Sequence, residues 1–242
     1  MWSCKSVAFV LSAINLFSSL QHTLAFAPAT ATSHLRIENG LSKNTFMLQG
    51  SNTVEFELQE LRAQFDAMLK QSVRPKMLTQ EKRDEIESYS ANVIRNCPSP
   101  IPLKSLGDDN AKLLQGEWTL VFASENAALG DLPRESTVEL SMLPEYKCEY
   151  RIKFGNTLGL KSITAKSNYI VDSSPVNPGL VTIVYQDIVS DVLGFKALPV
   201  GLFGMLQGRA TYIETIWFDG KLWFERGYSP DGVQYFNIYI KK

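Results

Sequence analysis

Apolar positions change period near the middle of this chain. Val54, Leu58, Leu61, Phe65, Met68 and Leu69 recur at steps of four, three, four, three and one. That spacing lines one face of an amphipathic helix, with Asn52 or Thr53 available to cap it. A second helix is expected after Thr79, a good capping residue with Glu81 in the first turn. It would bury Ile86, Tyr89, Val93 and Ile94 and carry Arg95 near its end, where the helix dipole favours a cation. "NCPSPIP" stops it, because Pro98, Pro100 and Pro102 lack donors and fix φ. The spacing predicts a helical hairpin over 54–96.

Beyond "LLQGEWTLVFAS" the period is two. In "YKCEYRIKF", Tyr146, Cys148, Tyr150, Ile152 and Phe154 fall on one face, and Lys147, Glu149, Arg151 and Lys153 on the other. Further strands are expected at 116–124, 136–142, 160–171, 180–186, 209–218, 221–227 and 233–241. Asp219-Gly220 makes a two-residue hairpin turn, and "SPDG" at 229–232 closes another. The fold class is therefore mainly β: an eight-stranded antiparallel barrel over 97–242, preceded by the two-helix hairpin. Closing such a sheet removes its edges and leaves room for one small ligand or for packed side chains. One stretch, 187–208, is apolar yet broken by Gly194, Pro199, Gly201, Gly204 and Gly208. It reads as a long loop that covers a barrel end, enters it or touches a membrane, with Phe195, Leu198, Leu202, Phe203 and Met205 as contacts.

The first fifty residues have neither period. "MWSCKSVAFVLSAINLF" has a short head with one lysine and an apolar run too short to span a bilayer, followed by Thr23-Leu24-Ala25, a small-residue cleavage site. Residues 1–25 read as a signal peptide. Residues 26–53, rich in Ser, Thr and Ala and poor in acids, read as a transit-peptide-like segment. The junction "LAFAPAT", with Phe26 after the cut, resembles the bipartite plastid presequences of algae with secondary plastids. The expected location is the plastid stroma; plain secretion is the alternative.

Composition narrows function. With a formal charge of −1 and no basic block, nothing calls for nucleic acid. Aromatics are 11% of the chain and most follow residue 117, which suits a large apolar interior. Cys97 and Cys148 have no metal-ligand spacing and are either two thiols or one bridge. Histidine occurs only at His22 and His34, in the presequence. Ser-His-Asp and Cys-His catalysis are thereby excluded from the mature chain, and histidine-ligated metals disfavoured. No phosphate-binding glycine loop is present. No catalytic residue, metal or cofactor is expected. Of the acids, Asp108 and Asp109 sit in a loop before the barrel, and Asp187 and Asp191 flank the apolar stretch, where one could meet a polar head group or simply face water.

The hairpin, the proline break, "LLQGEWTLVFAS" and "TIWFDGKLWFERG" together resemble the plastid lipid-associated protein (fibrillin) family, over residues 56–240. The marks are "CPSPIP" leading to Gly116-Glu117-Trp118, and Phe218-Asp219 followed by Arg226-Gly227. Trp217-Phe218-Asp219 departs from the family's usual Tyr-Leu-Asp, which leaves subfamily and ligand open. The resemblance implies a short helical lead and a lipocalin-like barrel. It further implies that Trp118 plugs one barrel end, that Arg226 packs on its ring, and that Gly116 allows close backbone approach.

A cavity lined by Phe122, Tyr150, Phe154, Tyr185, Tyr212 and Phe236 would bury an isoprenoid or acyl chain. Hiding about 400 Å² of such a chain is worth on the order of 10 kcal/mol before ordering costs. The expected function is non-enzymatic: binding or shielding quinones, carotenoids or lipids at a thylakoid or plastoglobule surface. The alternatives are a solid barrel whose helical hairpin docks a biosynthetic enzyme, and a carboxylate enzyme acting on a lipophilic substrate.

Overall fold

The computed structural model describes residues 46–124, 132–155, 159–199, 207–208, 210–228 and 234–242, with side chains except at 46–53, 227–228 and 234–235. The presequence up to 45, the contacts Leu202, Phe203 and Met205, and the 229–232 turn lie outside the described residues.

Helix α1 (Phe46–Lys70) begins earlier than the apolar spacing alone suggests and runs straight through Asn52 and Thr53, so neither caps it. Helix α2 (Gln80–Asn96) starts as expected: the Thr79 side chain accepts a hydrogen bond from the Lys82 backbone N–H, and Arg95 lies in the last turn. The proline-rich linker then straps across the end of a strand. Ser99 Oγ accepts from the Phe218 N–H at 3.1 Å, and Ile101 N–H donates to the Phe218 carbonyl.

All eight expected strands form: β1 (Gly116–Ala123), β2 (Thr137–Leu143), β3 (Lys147–Lys153), β4 (Leu160–Asp172), β5 (Leu180–Val192), β7 (Ala210–Phe218), β8 (Leu222–Tyr228) and β9 (Gln234–Lys241). A ninth, β6 (Phe195–Pro199), forms within the stretch that reads as loop. The long-loop reading of 187–208 fails at its start, because β5 runs on through Val192 and turns back into β6. The strand order is β4-β3-β2-β1-β9-β8-β7-β5-β6, every pairing is antiparallel, and β4 also pairs with β5. Eight strands thus close in a ring, with β6 flanking β5 beyond the reach of β7.

Two hydrophobic layers follow from this topology. One draws buried residues from all eight ring strands, among them Leu120, Leu140, Ile152, Ala165, Ile183, Ile213, Trp223 and Tyr239, and is the inner layer. The other joins α1 and α2 to β1, β7, β8 and β9 alone, and is the outer layer beneath the helices. Val54, Leu58, Leu61, Phe65 and Met68 of α1 and Ile86 and Val93 of α2 supply its helical side. An Arg62–Asp219 ion pair at 2.5 Å pins α1 to the β7–β8 turn, where Asp219 Oδ1 also accepts from the backbone of Lys221 and Leu222.

Cys97 and Cys148 are free thiols, and burial pushes Cys148 up to about 12.

Candidate functional site

The two ends of the ring differ. At one end the inner face is filled by aromatic rings. Trp118 packs against Phe218 and Trp223 at centroid distances of 5.6 and 5.4 Å, and Tyr239 packs on Trp223 at 5.9 Å. Trp118 Nε1 donates to the Leu114 carbonyl at 2.7 Å, so the buried indole is fully satisfied. The turn Leu103–Gly107 closes over this end, Leu106 joining the inner layer and Leu103 lying against the backbone of Gly179. The strand ends flanking 125–131, 156–158 and 229–233 all lie at the opposite rim.

Trp118 is buried at this end of the ring, and the cation beside its indole is not Arg226. Arg226 lies on the outer side of β8 and pairs with Glu214 at 3.2 Å. Lys241 is the residue directly opposite Trp118 on β9, and its Nζ sits 5.2 Å from the indole centroid. Parity explains the exchange: Trp223 and Glu225 face inward on β8, so Arg226 must face outward. Gly116 has φ +134°, and a Cβ there would lie 2.5 Å from Lys241 Cε. A glycine lets the lysine stem pass.

Three of the six proposed cavity residues face inward: Tyr150, Phe154 and Tyr185. The other three do not. A bulge in β1 between Leu120 and Phe122 breaks the alternation, so Trp118 and Leu120 point in while Phe122 turns outward beneath the helices. There it stacks with Phe236 at 5.6 Å and lies under the Arg83 guanidinium at 5.5 Å. Phe236 shares that outer layer. Tyr212 faces away from the interior and is 42% exposed.

One layer above the aromatic floor lies a row that pattern reading missed. Thr215, Glu225, Asn237 and Ala123 are successive cross-strand partners on β7, β8, β9 and β1. Glu225 is 8% exposed and Asn237 6%. The Tyr239 hydroxyl and the Asn237 amide donate to Glu225, while Trp223 Nε1 donates to Thr215 at 3.1 Å. Glu225 Oε2 and Asn237 Oδ1 have no hydrogen-bond partner. Burial in this apolar interior pushes the Glu225 carboxyl up to about 7, against the smaller opposing effect of its two donors. Burial also raises the Tyr185 hydroxyl, which bonds Thr211 nearby.

The acids singled out from sequence are otherwise engaged. Asp191 accepts from the Ala197 N–H at 2.9 Å and from Ser162 Oγ at 3.1 Å, clamping the β5–β6 hairpin; those bonds, the backbone one foremost, hold its carboxyl below the usual range. Asp187 faces Lys166 across the β4–β5 pairing on the outer side, and Asp108 and Asp109 are exposed. Among the described residues no three His, Cys, Asp or Glu side chains gather as metal ligands, and no helix is long and apolar enough to cross a membrane. Phe195 and Leu198 on β6 are exposed, as is Leu193 in the turn before it. No protein-family model, curated protein or solved structure matches this chain.

Proposed function

We propose that this chain is a non-enzymatic carrier of a lipophilic molecule, with the ring serving as a lipocalin-like barrel and the whole as a plastid lipid-associated (fibrillin-type) protein. The observation that carries the reading is the contrast within the inner layer. Large aromatic rings seal one end, whereas the next layer toward the rim holds the short side chains of Ala123 and Thr215 beside an incompletely bonded carboxyl. An apolar tail would lie from that layer toward the rim, along Tyr185, Ile188 and Phe154. Exposed Leu193, Phe195 and Leu198 at the β5–β6 hairpin would rest on a thylakoid or plastoglobule surface, where such cargo resides. The presequence reading places the protein in the plastid stroma.

Mass spectrometry of lipid extracted from the chain recovered from plastid membranes tests this. A quinone, carotenoid or acyl lipid in near-equal ratio to protein is expected. A chain that arrives empty, and that quenches no tryptophan fluorescence when isoprenoids are added, would refute the carrier. A second reading has one observation behind it: Phe56 on α1 is 57% exposed, a foothold for an enzyme docked on the helical hairpin. Loss of a plastid partner on Phe56→Ser, with lipid content unchanged, would favour it.

A further inference from the structure

We propose that two copies of this chain associate through the closed end of the ring, the Val176 tip of each seated in a surface cleft of the other. The inference stands apart from the carrier reading, because it uses the end of the ring opposite the rim.

The β4–β5 turn presents an apolar tip to solvent. Val176 is 83% exposed, the most of any large apolar side chain among the described residues. The turn holds it firmly. Ser174 N–H donates to Asp172 Oδ1 at 2.7 Å, Gly179 N–H to the Asp172 carbonyl at 2.9 Å, and Asn177 N–H to Ser174 Oγ at 3.4 Å. Pro175 and Pro178 fix φ on either side, and a β-branched side chain is stiff at χ1. Such a tip loses little freedom on docking.

Next to this turn, at the end of β4, opens a cleft of about 510 Å³ lined by Gly107, Tyr146, Lys147, Asn168, Ile170 and Val171. Its lip is fixed as well. The Tyr146 carbonyl accepts from the Tyr169 N–H at 2.7 Å, and its ring packs edge-on against Tyr169 at 5.6 Å. Ile170, in the wall, is 64% exposed. Glu145 and Lys147 pair with each other at 2.8 Å, so the cleft calls for no charged occupant, and residues 173–179 carry no charge. A single exposed apolar side chain is ordinary. A rigid apolar tip beside a preformed cleft, on one end of one chain, is self-complementary. A two-fold axis satisfies both features at once, because tip meets cleft and cleft meets tip. The formal charge of −1 sets up little repulsion between copies.

Sedimentation velocity on the full chain is the test. The mass should rise from 27.1 kDa toward twice that as concentration passes on the order of 10 μM, the affinity expected of a small interface. Val176→Asp carries a charge into the cleft and should raise that midpoint about tenfold or more, and Ile170→Lys should do the same. Both positions are exposed, so the urea midpoints should stay where they are. Mixed in equal amounts, the two variants should recover the dimer. The new carboxylate then meets the new ammonium, and the unaltered tip enters the unaltered cleft. A wild-type chain still monomeric at about 100 μM overturns the proposal. A dimer that Val176→Asp leaves intact overturns it too, by placing the contact elsewhere, and a mixture that stays monomeric refutes the reciprocal seating. Were Ile170→Lys not to fold, Val176→Asp alone decides.

Discussion

Replacing Glu225 by Gln removes one ionisation from the centre of the ring, and its effect on stability should depend on pH in a defined way. Burial is the main cause of a carboxyl moved from the ordinary 4.5 to about 7. Below pH 4.5 the group is protonated in both folded and unfolded chains, so it exerts no pH-dependent effect. Between 4.5 and about 7 the unfolded chain has released the proton and the fold still holds it. Stability then falls as pH rises, by up to about 1.4 kcal/mol per pH unit. Above 7 both states are ionised, and the loss levels off at about 3 kcal/mol. Gln keeps the shape and abolishes the titration. The variant should match the wild type near pH 4.5 and exceed it by about 3 kcal/mol at pH 8.5. Urea unfolding followed by tryptophan fluorescence, repeated across that range, gives the difference directly. Cys148 and Tyr185 are raised by burial and do not titrate there, and the histidines at 22 and 34 are common to both chains. Parallel profiles for the two proteins, or a variant that is weaker at pH 8.5, would refute the argument that this carboxyl is buried without full compensation.

Lys241→Ala should cost roughly 0.5–2 kcal/mol through the lost contact with Trp118, whereas Arg226→Ala, breaking a surface pair, should cost less than about 1 kcal/mol. Urea midpoints that rank the two the other way would show the wrong cation has been assigned to the indole. Arg83 is buried, donates to the Ala123 carbonyl at 2.7 Å and covers Phe122. Arg83→Met should therefore leave that carbonyl unpaired and cost about 1–3 kcal/mol in the same assay. Phe195 is 65% exposed, so Phe195→Asp should move the melting free energy by no more than about 0.5 kcal/mol while reducing flotation with galactolipid vesicles. Unchanged flotation would remove β6 from the membrane contact.

Much of the architecture was legible because several strands, β3 most plainly, advertise their period. "YKCEYRIKF" needed only counting: Cys148, Ile152 and Phe154 are in the inner layer, and Lys147 and Lys153 are exposed. Thr79 announced the start of α2 through the chemistry of its hydroxyl. What period cannot carry across is an inserted residue. In β1 the sequence 118, 120, 122 looks like one face, yet the bulge after Leu120 sends Phe122 outward and brings Ala123 in. β7 repeats the device between Thr215 and Trp217, turning Trp217 to the helices and Phe218 to the interior. Nothing local marks either bulge, because the residues at each, Val121 and Phe122 in β1 and Ile216 and Trp217 in β7, are all apolar. The outer side is covered by α1 and α2, so neither face needs to be polar to stay in water.

That double covering is also the signal by which Glu225 could have been found. "LWFER" has no wet face: Trp223 has one parity, and Leu222 and Phe224 the other. A strand apolar on both parities is buried on both sides, whether by the ring or by helices. A carboxylate within it has no route to solvent, and its parity with Trp223 sends it inward. Arg226, one residue nearer the rim, escapes to the outer side and finds Glu214. The two charges of the Glu225-Arg226 pair are thus separated by the sheet itself and cannot neutralise each other. The arginine finds its partner at the surface, and the carboxyl is left to two uncharged donors within. That separation turns an ordinary adjacent ion pair into a polar point inside an apolar ring.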